Sequence, residues 1–250
     1  MKKILSLLAV VLLGAGAVSA QFMCSEQGTV FTYTMTNYES TENPTDEYTS
    51  TVEAVDTDAS GVISARIVEA HKVQGNLFGA EMKTYSTYTY NPATELTVLV
   101  MSSADDAKKE LVDMIVESAR MGGQPVSDSQ IEELSNAIRV KGDLSLELPA
   151  TPDPAAKVAN KSLKMSLGPQ TFSTSLWNIK YEGFEDVEVP AGKFENCMKV
   201  SFELKQTSPE ATEKKYCTAW FAKGIGIVKS IDADKKGKVL GEEVLKSIKK

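Results

Sequence analysis

Apolar and polar positions alternate with a period of two along most of this chain, and that pattern predicts strands. In residues 29–38, Val30, Thr32, Thr34 and Thr36 fall on one side and Phe31, Tyr33 and Met35 on the other. Residues 48–55, 62–70, 81–90 and 95–101 repeat the pattern, and turn residues such as Asp56-Thr57-Asp58-Ala59-Ser60-Gly61, Gly75-Asn76, Gly79 and Asn91-Pro92 separate them. Short β-branched and aromatic runs between turn signals describe an antiparallel sheet built from hairpins. The period then changes to that of a helix. Ser103 reads as an N-cap with Asp105 and Asp106 in the first turn, and Ala107, Leu111, Met114, Ile115 and Ser118 share a face that ends at Gly122-Gly123. Ser127 and Gln130 form a capping box for a second helix, on which Ile131, Leu134 and Ile138 share a face.

The stretch 149–160, with Pro149, Pro152 and Pro154, reads as a long loop inside one domain. Strands return at 163–167, 171–184, 187–189, 194–206, 214–221 and 225–232, while the tail 238–248 fits either a last strand or a frayed helix. The expected organisation is a leader over 1–20 and a single mainly β (α+β) domain over 21–250, with a helical insertion at about 103–138.

The leader changes the picture most. Lys2 and Lys3 precede an apolar run from Ile4 to Leu13, and Val18-Ser19-Ala20 supplies the small residues of a cleavage site. This is the signature of a secretory signal peptide cut near Ala20. The expected location is therefore the periplasm or the outside of the cell, with no membrane span in the mature chain. Cys24 lies just past the cut, but Met23 and Gln21 do not suit a lipidation signal, so soluble export is preferred.

The formal charge of −7 becomes −9 once Lys2 and Lys3 are removed. Such an acidic chain lacks the clustered Lys and Arg that hold phosphates, so no nucleic-acid partner is expected. The lysine-rich end from Lys235 to Lys250, interspersed with Glu242 and Glu243, reads as a solvated terminus.

Candidate chemistry is sparse. Cys197 and Cys217 sit about a turn-like Thr207-Ser208-Pro209, and a hairpin there would let them bond; Cys24–Cys197 is the rival pairing. His71 is the only histidine, no C-x-x-C spacing occurs, and no metal site or cofactor is expected. Asp56-x-Asp58-x-Ser60-Gly61 begins like a calcium loop, yet position twelve is Ile67 and the flanks are strands. Glu182, Glu185, Asp186 and Glu188 read as a solvated cluster rather than a glycosidase pair. The tyrosines Tyr33, Tyr38, Tyr48, Tyr85, Tyr88 and Tyr90 lie on strands of one sheet; tyrosines exposed on one face of it would offer a stacking or partner surface.

The C-terminal third carries a resemblance. Val189-Pro190-Ala191-Gly192-Lys193-Phe194-Glu195-Asn196-Cys197-Met198-Lys199-Val200, followed by Trp220-Phe221-Ala222-Lys223-Gly224-Ile225-Gly226-Ile227-Val228-Lys229, resembles a pattern in TapB-like exported envelope proteins of Gram-negative bacteria. Leu146-Glu147-Leu148-Pro149 and the opening from Cys24 to Tyr33 fit it as well. The resemblance implies a strongly curved antiparallel sheet or half-barrel with one or two helices on its concave face. It brings no catalytic residues. The expected function is non-enzymatic: binding of an apolar small molecule or lipid, in a pocket lined by Met114, Ile115 and Leu134, or alternatively an adaptor or structural role with an envelope protein as partner; a hydrolase is the remaining and least favoured alternative.

Overall fold

In the computed structural model, which describes residues 21–41, 44–72 and 81–250, the alternating segments do not stop at a curved sheet. They close. Five strands come first: β1 (Val30–Asn37), β2 (Thr45–Thr57), β3 (Ile63–Lys72), β4 (Glu81–Asn91) and β5 (Leu96–Ser102). Helices α1 (Ala104–Met121) and α2 (Asp128–Ala137) follow. The remaining strands are β6 (Ile138–Pro149), β7 (Lys161–Leu167), β8 (Gln170–Val189), β9 (Gly192–Thr207), β10 (Thr212–Ala222), β11 (Gly226–Ala233) and β12 (Val239–Lys249). Each strand pairs antiparallel with its neighbour in sequence, and β12 returns to β1, with Val30 opposite Lys249 and Met35 opposite Glu243. The leader and the Gly75-to-Gly79 turn lie outside the described residues.

Closure corrects the half-barrel expectation, and its cause is the tail. As a last strand rather than a frayed helix, β12 pairs both free edges of the sheet. Unpaired edges expose backbone donors and acceptors, and a closed barrel has none. Alternation then sorts the side chains. Phe31 and Tyr33, Tyr48 and Val52, Ala65 and Ile67, and Met198 and Val200 point inward and are buried. Full burial of an aliphatic or aromatic side chain is worth roughly 1.5–3 kcal/mol. The outer face is charged, with Lys199, Glu203, Lys229 and Glu242 between the inward positions. A membrane-spanning barrel needs the reverse, an apolar outer band. Among the described residues, no helix is long and apolar enough to cross a membrane.

Glycine is required at two places. A Cβ on Gly142, at φ +87°, would lie 2.0 Å from the Ser162 carbonyl oxygen, inside the β6–β7 ladder. A Cβ on Gly226, at φ +112°, would come within 3.1 Å of the Tyr88 hydroxyl.

The two ends of the barrel differ. At one end the chain before β1 crosses the opening. Phe22 and Met23 are fully buried there and belong to the main core. The Phe22 N–H donates to Thr97 Oγ1 at 3.0 Å, and the Gln21 carbonyl accepts from Gly224 N–H at 2.9 Å. At the other end stand the helices. Ser103 caps α1 by accepting from Asp106 N–H at 3.1 Å, and α2 has its complete capping box. The buried stripe of α1 is Ala107, Val112 and Val116, turned from the predicted face: Met114 is 53% exposed. Val112 and Val116 pack with Leu111, Ile131, Leu134 and Ile138 in a small second core. Ile138 proves to be the first residue of β6, not part of α2.

Candidate functional site: a barrel lumen with a polar mouth

The interior of an eight-stranded barrel is just filled by side chains, and diameter grows with strand number. This barrel has twelve strands, and a cavity of about 440 Å³ remains along its axis. Every strand but β7 contributes to its wall. No residue of α1 or α2 lines it. Their apolar stripe packs instead at the helix-side ends of β6 and β7, on Ile138, Val140 and Leu167, which share the inward side of the sheet with Leu163 and Thr174, so the helices stand at the barrel rim. Arg66, on the outer face between inward Ala65 and Ile67, donates through Nη1 to Asp106 Oδ2 at 2.8 Å and anchors the start of α1. The Tyr85 N–H donates to Glu110 Oε1 at 2.9 Å one turn later.

The expected ligand-lining residues accordingly sit apart from the lumen. Met114 borders a cleft of about 430 Å³ between α1 and the barrel rim, with Leu111, Met165, Phe172, Thr174 and Gln206. Thr174 and Gln206 also line the lumen, so the cleft abuts its mouth. Ile115 is half-buried on α1, and Leu134 packs in the helix core. The signal for the lumen lay instead in the inward parity of the strands: Phe31, Leu99, Leu146, Leu176, Phe202 and Phe221 form its apolar wall.

Polarity is graded along the axis. Near the end sealed by Phe22 the wall is uncharged and mainly hydrocarbon, with Ser50 opposite Phe31 and Tyr88 opposite Leu99. Toward the helix end it carries Glu69, Asp232 and Glu243. Around them is an aromatic stack: Tyr48 lies 5.2 Å from Tyr33 and 4.2 Å from His71, centroid to centroid. The Tyr33 hydroxyl donates to the Ile227 carbonyl at 2.9 Å, and Tyr88 is hydrogen-bonded to the same residue's backbone. Burial pushes the phenol groups of Tyr33, Tyr48 and Tyr88 well up, so all three stay neutral. The tyrosine face of the sheet is thus internal: Tyr33, Tyr48, Tyr88 and Tyr90 are buried, while Tyr38 and Tyr85 lie outside. Tyr85 lies beneath Arg66 and Lys109.

Glu243 is the least ordinary group. Burial pushes its carboxyl up to about 7; the Tyr48 hydroxyl and the charge of His71 oppose that rise, and Glu69 and Asp232 add to it. The solvated-terminus reading of Glu242 and Glu243 holds only for the outward residue, which pairs with Lys229 at 2.8 Å. An acid and a histidine at inward parity, as at Glu69 and His71, were the signal for a polar lumen. His71 Nε2 is 3.7 Å from Glu69 Oε2.

The disulfide expectation is corrected: Cys24, Cys197 and Cys217 are all buried and free. The β9–β10 ladder places Phe202, not Cys197, opposite Cys217. Burial raises the Cys197 thiol to about 11 and pushes Cys217 higher still. The Asp58 segment is a turn in which Asp58 Oδ1 accepts from Ser60 N–H and Val62 N–H. No metal-holding group of acids, Cys and His occurs among the described residues. The Glu182–Glu188 acids are tied to outer-face neighbours, Glu182 to Ser201, Glu185 to Lys199 and Asp186 to Lys193.

Two solved structures share this fold. A "putative lipoprotein" from Parabacteroides distasonis ATCC 8503 aligns with TM-score 0.61 and 17% identity over 91% of this chain and 98% of its own. A "putative exported protein with YmcC-like fold" from Bacteroides fragilis NCTC 9343 aligns with TM-score 0.62 and 18% identity over 92% and 99%. No curated protein matches the sequence. The family described as DUF3108-like matches residues 26–245, which run from just after Cys24 to Leu245 in the closing strand, and this chain belongs to that family.

Proposed function

We propose that this protein is exported to the cell envelope and holds an apolar ligand or lipid inside its barrel without transforming it. The observation that carries the reading is the lumen of about 440 Å³, within the size range of small-molecule sites and lined as they are, mostly by hydrocarbon with a few convergent polar groups. The leader supports export, as do the names of the two structural neighbours and the two C-terminal blocks resembling TapB-like exported proteins. The non-enzymatic part of the proposal rests on the lumen's reactive groups. The Cys217 thiol is held protonated by burial, and His71 is stacked on Tyr48 beside Glu69.

Native mass spectrometry followed by lipid extraction, on protein taken gently from its own envelope, tests this. A co-purifying small molecule of defined mass is expected. A clean apo mass, together with no uptake of the neutral probe N-phenyl-1-naphthylamine, would overturn the reading.

One observation favours the adaptor alternative. Trp177 and Tyr216, 46% and 40% exposed, lie on either side of Glu203 on the outer face of β8, β9 and β10. Exposed aromatic residues are enriched at protein interfaces. Cross-linking in native cells that captures a partner through Trp177, lost in Trp177→Ala, would support it.

A further inference from the structure

The lumen is polarised in a way that selects a head group as well as a tail. Its sealed end is uncharged and mainly hydrocarbon, closed by Phe22 and Met23. Its carboxylates gather at the opposite end: Glu69 pairs in register with Thr84, Glu243 with Met35, and Asp232 with Gly241, all toward the helix-side ends of their strands. A molecule lying along this axis has its apolar part deep and its polar part at the mouth.

The charges at the mouth are unequal. Glu69, Asp232 and Glu243 face the lumen, and no Lys or Arg lines it among the described residues. Two cationic or titratable bases stand nearby, and each has a partner. Lys215, in a cleft beside the mouth, is 3.5 Å from Asp232. His71 is 3.7 Å from Glu69 and stacked on Tyr48. Glu243 receives the Tyr48 hydroxyl and shares the charge of His71 with Glu69, but no Lys or Arg pairs with it among the described residues. Its raised pKa is the behaviour of an enclosed carboxylate without a matching cation. A carboxylate or phosphate head would meet this set as like charge, whereas an ammonium head would supply the missing counter-charge through charge-assisted hydrogen bonds.

We propose that the lumen binds a single-chain amphiphile tail first, with a primary-amine head held at the mouth by Glu243 and Glu69. This rests on the ligand-binding reading above and adds the class of ligand to it. The rim cleft of Leu111, Met114, Met165 and Phe172, which abuts the mouth at Thr174 and Gln206, gives the tail an apolar approach.

Displacement of N-phenyl-1-naphthylamine from the mature protein at pH 7.5 separates the two claims. The competitors are dodecylamine, dodecanol and dodecanoate, which share one tail and differ in head. The expected order is amine, then alcohol, then carboxylate, with about tenfold or more between the first and last, as one good charge-assisted bond gives. Glu243→Gln and Glu69→Gln should each move the amine-to-alcohol ratio toward one. Dodecanoate binding as well as dodecylamine, or a ratio unmoved in both variants, would overturn the head-group inference while leaving apolar binding intact. Failure of dodecanol and of the neutral probe to bind at all would overturn the lumen reading, and the head-group inference with it.

Discussion

The backbone N–H of Phe22 reaches Thr97 Oγ1 at 3.0 Å across 75 residues of sequence. Thr97 is itself fully buried, so this bond fixes where the segment before β1 crosses the barrel. Phe22 then fills the space at the sealed end, and Lys223 covers its ring at 5.9 Å. Phe22→Ala leaves a cavity that the surrounding strands cannot collapse, and a loss of about 3–5 kcal/mol is expected. Thr97→Val keeps the volume but orphans the Phe22 N–H, with an expected loss of about 1–3 kcal/mol. Denaturant midpoints at constant m-value check both. The same packing bears on processing. Cleavage directly before Cys24 would remove Phe22 and Met23 from the core, so the intact mass of the exported protein should correspond to a chain starting at Gln21.

The first turn of helix α1 is anchored by one charged pair, Arg66 and Asp106. Burial pushes the Asp106 carboxyl up, but the hydrogen bonds from Arg66 and Ser103 outweigh it and hold the group below the usual carboxylate range. The stabilisation is present above the unfolded pKa and is lost as pH falls through the folded value. Arg66→Met removes the cation and leaves Asp106 half-enclosed. The pair is partly open to solvent, with side-chain exposures of 29% and 12%. The cost should therefore fall below that of a sealed pair, at about 1–3 kcal/mol. Hydrogen exchange should show it as faster exchange in α1 amides, with β9 and β10 amides protected as before.

Much of this architecture is legible in the residues. Period-two alternation places the strands, and the N-caps Ser103 and Ser127 place both helix starts. Closure is not legible, because it depends on β12 finding β1 across the length of the chain, and no local pattern encodes that pairing. The lumen was hidden for a related reason. Once the barrel closes, the inward side of every strand faces one space, so residues far apart in sequence, such as Glu69 and Glu243, become neighbours. Met114 lines the rim cleft rather than the lumen, because the apolar stripe of α1 packs at the mouth on Ile138, Val140 and Leu167. The outer-face pair of Arg66 and Asp106 fixes only the start of the helix. Trp220 and Phe221 show the same limit. Alternation puts them on opposite faces, yet both are buried, because Lys199 and Lys229 cover the outward Trp220 ring at 5.2 and 5.7 Å.

The cysteines give a direct chemical check. A turn centred on Thr207 would pair Cys197 with Cys217, but the ladder joins Thr207 to Thr212 and so sets Cys217 against Phe202. A two-strand register cannot slip five residues without turning inward side chains out. Alkylation of the denatured, unreduced protein should therefore label three thiols. In the native state labelling should be slow, since the reactive thiolate is scarce when burial raises the pKa, as it does for Cys197 and Cys217.

Glu243 makes a prediction about pH with a definite sign. Its carboxyl has a folded pKa of about 7, raised from 4.5 chiefly by burial. Between those two values the folded chain holds a proton that the unfolded chain has released. Stability therefore falls as pH rises through this window and levels above it, opposite to the usual behaviour of a salt-bridged acid. A tenfold difference in proton affinity between the folded and unfolded chains is worth about 1.4 kcal/mol. The side chain borders an open cavity and is only half-buried, however, so a loss of about 2 kcal/mol is expected rather than the full value. Glu243→Gln removes the titration and keeps the shape. Its melting temperature, compared with that of the parent at pH 5 and pH 8, should gain on the parent as pH rises. Parallel curves would show that Glu243 is ionised in the empty barrel, with water in the lumen solvating its charge. A dodecylamine head should itself flatten the parent's curve, because a cation at the mouth restores the carboxylate's ordinary preference for the charged form.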